Sequence, residues 1–239
     1  MTTSKVALIT GAGKGLGFEI ARQLGQRGIT VVVAARDLAK AEQAAARLSA
    51  EGIRAEPVQL DVTSQSDIAA LPGFFREQFG RLDILINNAG INLDSSGPVT
   101  PDSMRATFET NTVAPFAVTQ ALLPLLREAP AGRIVNHSSI MGSLSVMGNS
   151  AQASDEVTAP AYCASKAALN MLTVIQARQL AGTNLRVNAA HPGWVKTDMG
   201  TDAAPMEIID GAKTAVALAL LLDDGPTGEF FHLGQRLPW

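Results

Sequence analysis

Short, continuously apolar runs alternate with longer segments rich in Ala, Leu and charge along most of the chain. Residues 6–10 (Val-Ala-Leu-Ile-Thr) read as a first buried strand, followed by a glycine-rich turn and a helix running through Leu24. The same pattern predicts strands at 30–35, 55–60, 84–87, 134–136, 185–190 and 230–233. Between them it predicts helices at 38–50, 64–79, 101–127, 161–181 and 209–222. Thr100 is the expected N-cap of the third of these, because Pro101 suits a first helical position. Strands that are apolar throughout, instead of alternating, belong to a sheet covered on both faces. With right-handed crossovers, the expected fold is α/β: a doubly wound parallel sheet with helices on both faces, in a single domain over residues 1–239. The pattern is weakest at 142–160 and 194–206, each following a strand at its C-terminal end. Open α/β sheets place their ligands there, so these are the expected substrate-site loops.

Composition narrows the class. Apolar residues make up 46% and charged residues 17%, the balance of a compact globule and not of a disordered or fibrous chain. A net charge of -3 gives no reason to expect nucleic acid as a partner. Cys163 is the single cysteine, so an internal disulfide is impossible and a reducing compartment follows. Three scattered histidines offer no metal-ligand spacing, and no metal is expected. The first residues lack a signal-peptide pattern, and the longest apolar run, 215–222, is too short to span a bilayer. The expectation is a cytoplasmic protein with no membrane partner.

The turn after the first strand reads Thr10-Gly11-Ala12-Gly13-Lys14-Gly15-Leu16-Gly17. Leu16 breaks the common G-x-G-x-x-G register, but Gly11, Gly15 and Gly17 fit a T-G-x-x-x-G-x-G spacing. Such a turn brings backbone close to a pyrophosphate at a helix N-terminus, the dinucleotide site of a Rossmann fold. An unliganded βα turn is the bland alternative. The second strand ends Ala35-Arg36-Asp37, with Ala35 where an NAD-type acid is expected. Arg36 and Lys14 supply two cations at that corner and favour NADP(H), unless both are solvated surface charges. Asp37 is ambiguous: it could cap the following helix or turn toward the ribose.

Tyr162 and Lys166 stand four apart at the start of a predicted helix, which puts both on one face. A free tyrosine, with pKa about 10, is a poor base at neutral pH; bringing it near neutrality takes roughly 4 kcal/mol of differential interaction. A neighbouring ammonium and an oxidised nicotinamide both act in that direction. Tyrosine would then serve as general acid in carbonyl reduction and as base in reverse.

Five ordered motifs together resemble the short-chain dehydrogenase/reductase family. Thr10 to Gly17 is similar to its cofactor turn, and Asn87-Asn88-Ala89-Gly90 to its fourth-strand signature. Asn136-His137-Ser138-Ser139 is similar to its serine strand, Tyr162 to Lys166 to its tyrosine helix, and Pro192-Gly193 with Thr197 to its nicotinamide loop. The resemblance implies Tyr162 as proton donor, Ser139 as hydrogen-bond partner of the substrate oxygen, Lys166 on the nicotinamide ribose and Asn111 supporting a water that leads protons to Lys166. Ser139 is chosen over Ser138 by its spacing to Gly142. The implied cofactor set is Gly11, Gly13, Lys14, Gly15, Leu16, Gly17, Arg36, Asp61, Val62, Asn88, Gly90, Tyr162, Lys166, Pro192, Gly193, Val195 and Thr197. Within it Asp61 and Val62 would contact adenine, Asn88 the ribose region, and Val195 and Thr197 the carboxamide side.

Ser139-Ile140-Met141, the stretch Pro192 to Met199, the Gly225-Pro226-Thr227-Gly228 turn and the terminal Trp239 further resemble the NADPH-dependent carbonyl reductases. Those proteins carry a longer insertion before the tyrosine. The resemblance implies reduction of a ketone or aldehyde to an alcohol with NADP(H). Met141, Met147, Trp194 and Met199 are the expected substrate contacts, an adaptable apolar wall for a small hydrophobic carbonyl compound, with ordinary core filling as the alternative. His137 and His191 flank the site and are read as packing or solvent-facing residues, as is Cys163. Family dimers pair the helices at 101–127 and 161–181, which implies a homodimer or homotetramer. The rival functions are an NAD(P)-linked secondary-alcohol dehydrogenase and a non-catalytic NADPH-sensing protein, with a dehydratase or epimerase as a more distant option.

Overall fold

The computed structural model describes residues 4–94, 97–149 and 159–239. Its frame is one eight-stranded sheet built from β1 (Val6–Ile9), β2 (Thr30–Ala35), β3 (Ala55–Gln59), β4 (Ile84–Asn87), β5 (Arg133–His137), β6 (Arg186–Ala190), β7 (Phe230–His232) and β8 (Gln235–Leu237). The spatial order is β3-β2-β1-β4-β5-β6-β7-β8, parallel from β3 to β7. The order reverses between β1 and β4, so the crevice where such sheets hold ligands opens beyond Ile9 and Asn87.

The period of two along each strand sorts its residues between two cores. Val31 and Val33 join Ala7 and Ile9 on one face, packed on α1 (Gly15–Gly25), α2 (Leu38–Ala50) and α9 (Lys213–Ala219). Val32 and Ala34 join Val6 and Leu8 on the other, against α3 (Gln65–Gln78), α5 (Ala114–Glu128) and α7 (Pro160–Gln179). The edge strand β3 is only partly buried and carries Pro57, which an edge tolerates. No helix among the described residues is long and apolar enough to cross a membrane.

Several elements differ from the sequence pattern. The expected helix 101–127 is two helices. Thr100 and Ser103 form a reciprocal capping box at the start of α4 (Pro101–Phe108), but Glu109–Val113 widens into a π-turn before α5 begins. Pro115 has no N–H for a bond to the preceding turn, and Asn111 spends its side chain on the Ile91 backbone. The expected helix 209–222 is likewise broken into α8 (Ile208–Gly211) and α9. Buried Arg133 takes the Leu221 carbonyl at 2.8 and 3.1 Å just past the end of α9.

Within 142–160, the described residues hold a 3₁₀ turn (Ile140–Gly142) and the short α6 (Leu144–Met147), while 150–158 lie outside them. Strand β8 was not expected. It folds back antiparallel on β7 through Leu233 and Gly234, both at positive φ (44° and 80°). The chain end then packs beside the site: Trp239 stacks on Phe230 with centroids 5.5 Å apart, and the Pro238 and Trp239 carbonyls accept from Ser143 Oγ and Ser145 N.

Candidate active site

The ends of β1 and β4 are pinned by one hydroxyl. Thr10 Oγ1 accepts from the Asn88 and Ala89 amides, each at 3.0 Å, and Asn88 Nδ2 returns to the Thr10 carbonyl at 2.8 Å. The glycine turn fits closely into this junction. A Cβ on Gly17 would lie 2.5 Å from Asn88 Nδ2, and one on Gly11, already at φ +65°, 2.9 Å from Ala89 Cα. Helix α1 follows with no side-chain cap and no acidic residue in its first turn. Its leading N–H groups therefore favour an anion.

At the end of β2, Gly13 lies against Ala35: a Cβ there would meet the Ala35 Cβ at 3.2 Å. Arg36 is exposed. The ambiguity of Asp37 resolves toward capping, since its carboxylate accepts from the Ala39 amide at 3.0 Å and starts α2. The two cations are not equivalent. Lys14 forms an exposed ion pair with Asp198, reaching across from the cofactor turn to the 194–206 segment. Asp61 accepts from the Thr63 amide and hydroxyl at 2.9 and 2.8 Å in the turn leading to α3, with Val62 buried beside it.

Tyr162 and Lys166 share the first turns of α7, with Lys166 Nζ 5.5 Å from the tyrosine ring centroid. Asp94 accepts from the Tyr162 amide at 2.8 Å and so caps the helix at the site, a role with no signal in the sequence. The 3₁₀ turn sits tightly on α7: a Cβ on Gly142 would fall 2.6 Å from the Lys166 carbonyl carbon. That contact brings Ser139 beside the tyrosine, where its hydroxyl favours the phenolate. Ser138 faces elsewhere, donating to Asn170 Oδ1 at 2.5 Å. Asn111 accepts from Ile91 N and donates to Ile91 O, both at 2.8 Å, and also donates to Ser165 Oγ at 3.0 Å. A Cβ on Gly90 would come within 3.3 Å of Asn111 Oδ1 and 3.6 Å of Lys166 Nζ, so all three meet at one point.

Burial pushes the Tyr162 pKa up to about 12, against the hydrogen bond from Ser139 that favours the phenolate and with a smaller push from Cys163. Desolvation of the anion is the dominant influence there. Burial also lowers Lys166 to about 8. Its ammonium donates to the His137 carbonyl at 2.8 Å. Burial likewise raises the Cys163 thiol, in keeping with a packing role.

The expected substrate residues lie on two straps. Met141 and Met147, partly buried, stand on the 3₁₀ turn and α6. Trp194 and Met199, 57% and 46% exposed, stand on the segment after β6. That segment is a pinched loop. Its base is closed by a bridge between Val195 and Met206, and its interior by Trp194 Nε1 on the Gly200 carbonyl at 2.8 Å. Thr197 Oγ1 accepts from the Gly200 amide at 3.1 Å within the same loop. Pro192 and Gly193 lead into it, and Gly193 has φ +91° with Met206 packed where a side chain would stand.

Residues 5–208 match the family described as short chain dehydrogenase. The chain is 34% identical to (-)-isopiperitenone reductase of Mentha piperita, covering 98% of each protein. It is 36% identical to carbonyl reductase (NADPH) 1 of Sus scrofa, over all of this chain and 95% of the relative. Among solved structures, NADPH-bound carbonyl reductase from chicken fatty liver superposes with a TM-score of 0.85 at 29% identity, covering 99% of both chains. Salutaridine reductase from Papaver somniferum gives 0.82 at 29% identity, over 95% of this chain and 99% of that one. With the glycine turn, the pinned β4 end and the serine–tyrosine–lysine cluster in one fold, the chain belongs to the short-chain dehydrogenase family.

Proposed function

We propose that this protein reduces a ketone or aldehyde to an alcohol with NADPH, using Tyr162 as the proton donor. The observation that carries the reading is Tyr162 on one helix face with Lys166, its hydroxyl desolvated by the fold with Ser139 beside it. A phenol kept protonated by burial is in the right form to give up a proton as charge develops on a carbonyl oxygen. Ser139 holds that oxygen beside the phenol. Lys166, fixed by the His137 carbonyl, keeps the cofactor ribose in place and supplies the positive charge that eases loss of the tyrosine proton. Asn111 anchors the Ile91 backbone and α7 around it, and supports a water leading protons toward Lys166.

The residues present fit a dinucleotide phosphate. Gly11, Gly13, Lys14, Gly15, Leu16 and Gly17 form a turn with no room for a Cβ at Gly11 or Gly17, at an uncapped helix start, suited to a pyrophosphate. Arg36 offers a cation for a 2′-phosphate, and the adjacent acid, Asp37, is committed to capping α2. Asp61 and Val62 serve the adenine, Asn88 and Gly90 the ribose region, and Pro192, Gly193, Val195 and Thr197 the carboxamide. The cofactor would supply the hydride that adds to the carbonyl carbon. Met141, Met147, Trp194 and Met199 form the wall for a small hydrophobic substrate.

Val113 and Phe116 on the α5 side, and Met171 and Ile175 on α7, are exposed apolar residues, which supports a homodimer or homotetramer through these helices. NADPH consumption against a panel of aldehydes, ketones, diketones and quinones tests the function. Turnover of at least one class is expected. Tight NADPH binding with no turnover anywhere would instead favour a sensor.

A further inference from the structure

The pairing of β5 with β6 runs out at the serine turn. Just past the end of β5, Ser138 N donates to the Ala190 carbonyl at 2.8 Å. On the β6 side the chain cannot carry the ladder on: Pro192 has no N–H to give, and Gly193 turns away at φ +91°. A side chain takes over, and Ile140 N donates to His191 Nδ1 at 3.3 Å. Ser139 therefore stands between two backbone amides that are both held from the end of β6, one by the Ala190 carbonyl and one by the His191 ring.

Other contacts do not replace this one. The bonds from Met141 N to the Ser139 hydroxyl at 3.2 Å and from Gly142 N to the Ser139 carbonyl at 2.9 Å lie within the turn and move with it. Asn170 Nδ2, on the Gly142 carbonyl at 3.1 Å, fixes the far end of the turn to α7. The His191 ring is itself held in place. Its amide donates to the Phe231 carbonyl at 2.8 Å, and its carbonyl accepts from His232 Nδ1 at 2.9 Å. The two imidazoles pack with centroids 4.9 Å apart. Because His191 Nδ1 accepts, the proton of the neutral ring sits on Nε2. Burial, with His232 adding to it, lowers the His191 pKa to about 4, so the acceptor persists at neutral pH.

We infer that His191 is a positioning residue for the reaction, its imidazole holding the Ile140 amide and thereby setting where the Ser139 hydroxyl meets the substrate oxygen. The inference rests on the carbonyl reduction proposed above. Charge on that oxygen is greatest in the transition state, so a displaced Ser139 costs turnover and not cofactor binding.

Asparagine offers a side-chain oxygen where His191 has Nδ1, leucine offers none, and glutamine carries its oxygen past that point. With a carbonyl substrate turned over by the wild type, His191→Leu and His191→Gln should each lower kcat about tenfold, with NADPH dissociation constants within about threefold of wild type. His191→Asn should recover kcat to within about threefold of wild type. Hydrogen exchange at the Ile140 amide should be faster in His191→Leu than in wild type or His191→Asn. In a Ser139→Ala background, adding His191→Leu should lower the residual kcat by less than about twofold, because the hydroxyl being positioned is gone. Unchanged kcat in both His191→Leu and His191→Gln overturns the inference. So does a His191→Asn variant as slow as His191→Leu, or a full further loss on top of Ser139→Ala. A wild type that reduces no carbonyl overturns the proposed function itself, and this inference with it.

Discussion

Arg36 and Lys14 should contribute unequally to cofactor preference, because only one of them is tied up in an ion pair. Arg36 is exposed at the end of β2, and the acid beside it is turned into the α2 cap. One charge-assisted hydrogen bond to a 2′-phosphate is worth about 1.5 to 3 kcal/mol, or roughly ten- to a hundredfold in affinity. Lys14 must first leave Asp198, and Asp198 lies close enough to repel a phosphate that Lys14 approaches. Both members of that pair are exposed and screened, so the exchange costs little and Lys14 adds only modestly. Arg36→Gln should therefore lower the NADPH:NADH ratio of kcat/KM by about tenfold or more, and Lys14→Gln by less. Asp198→Asn should raise NADPH affinity without changing that for NADH. Ala35→Asp combined with Arg36→Gln should move preference toward NADH, since a carboxylate would then accept the ribose hydroxyls. Raising salt should weaken NADPH more than NADH. The assay is steady-state turnover with each cofactor over a salt series. Equal kcat/KM for both cofactors in the wild type would show that Arg36 is only a surface residue.

The 194–206 loop, pinched at its base and held to the body by the Lys14–Asp198 pair, should act as a substrate lid. Its amides should exchange more slowly once cofactor and a substrate analogue bind; equal protection would count against a lid. Phe116→Glu or Met171→Glu should break the oligomer, read by sedimentation, whereas a wild type that sediments only as the 25.0 kDa species would overturn that assembly. Burial lowers His137 to about 3 and His191 to about 4. The unfolded chain then binds more protons below the ordinary histidine pKa of about 6.5, so stability falls as pH drops through the interval from there toward 4. Melting temperature against pH checks this, and His191→Gln should flatten the acid limb; an unchanged limb would remove His191 from it.

Much of the fold was legible because a strand buried on both faces is filled mainly by apolar residues, as in Thr30–Ala35, apolar after its first residue. The N-cap at Thr100 was equally local and equally readable. What escaped depends on contacts across the chain. The π-turn at Asn111 exists because that side chain binds Ile91, and nothing near residue 111 announces it. β8 turns through Leu233 and Gly234, where the usual Asn-Gly or Asp-Gly signal of a tight hairpin is missing. The site shows the same division. Motif spacing nominated Ser139, Tyr162 and Lys166, and the fold brings them together. It could not foresee Asp94 on the Tyr162 amide, Asp198 on Lys14, or the bare Nε2 of His137. Nor could it weigh burial against charge at Tyr162, since desolvation depends on the whole surrounding shell.

The most direct test of Tyr162 as proton donor is Tyr162→Phe, assayed for NADPH-dependent carbonyl reduction alongside NADPH affinity. The ring keeps its place and loses only the hydroxyl. Turnover should fall by about 10² to 10⁴ while NADPH affinity stays within a few-fold. A variant that reduces carbonyls at near wild-type rate would contradict the account.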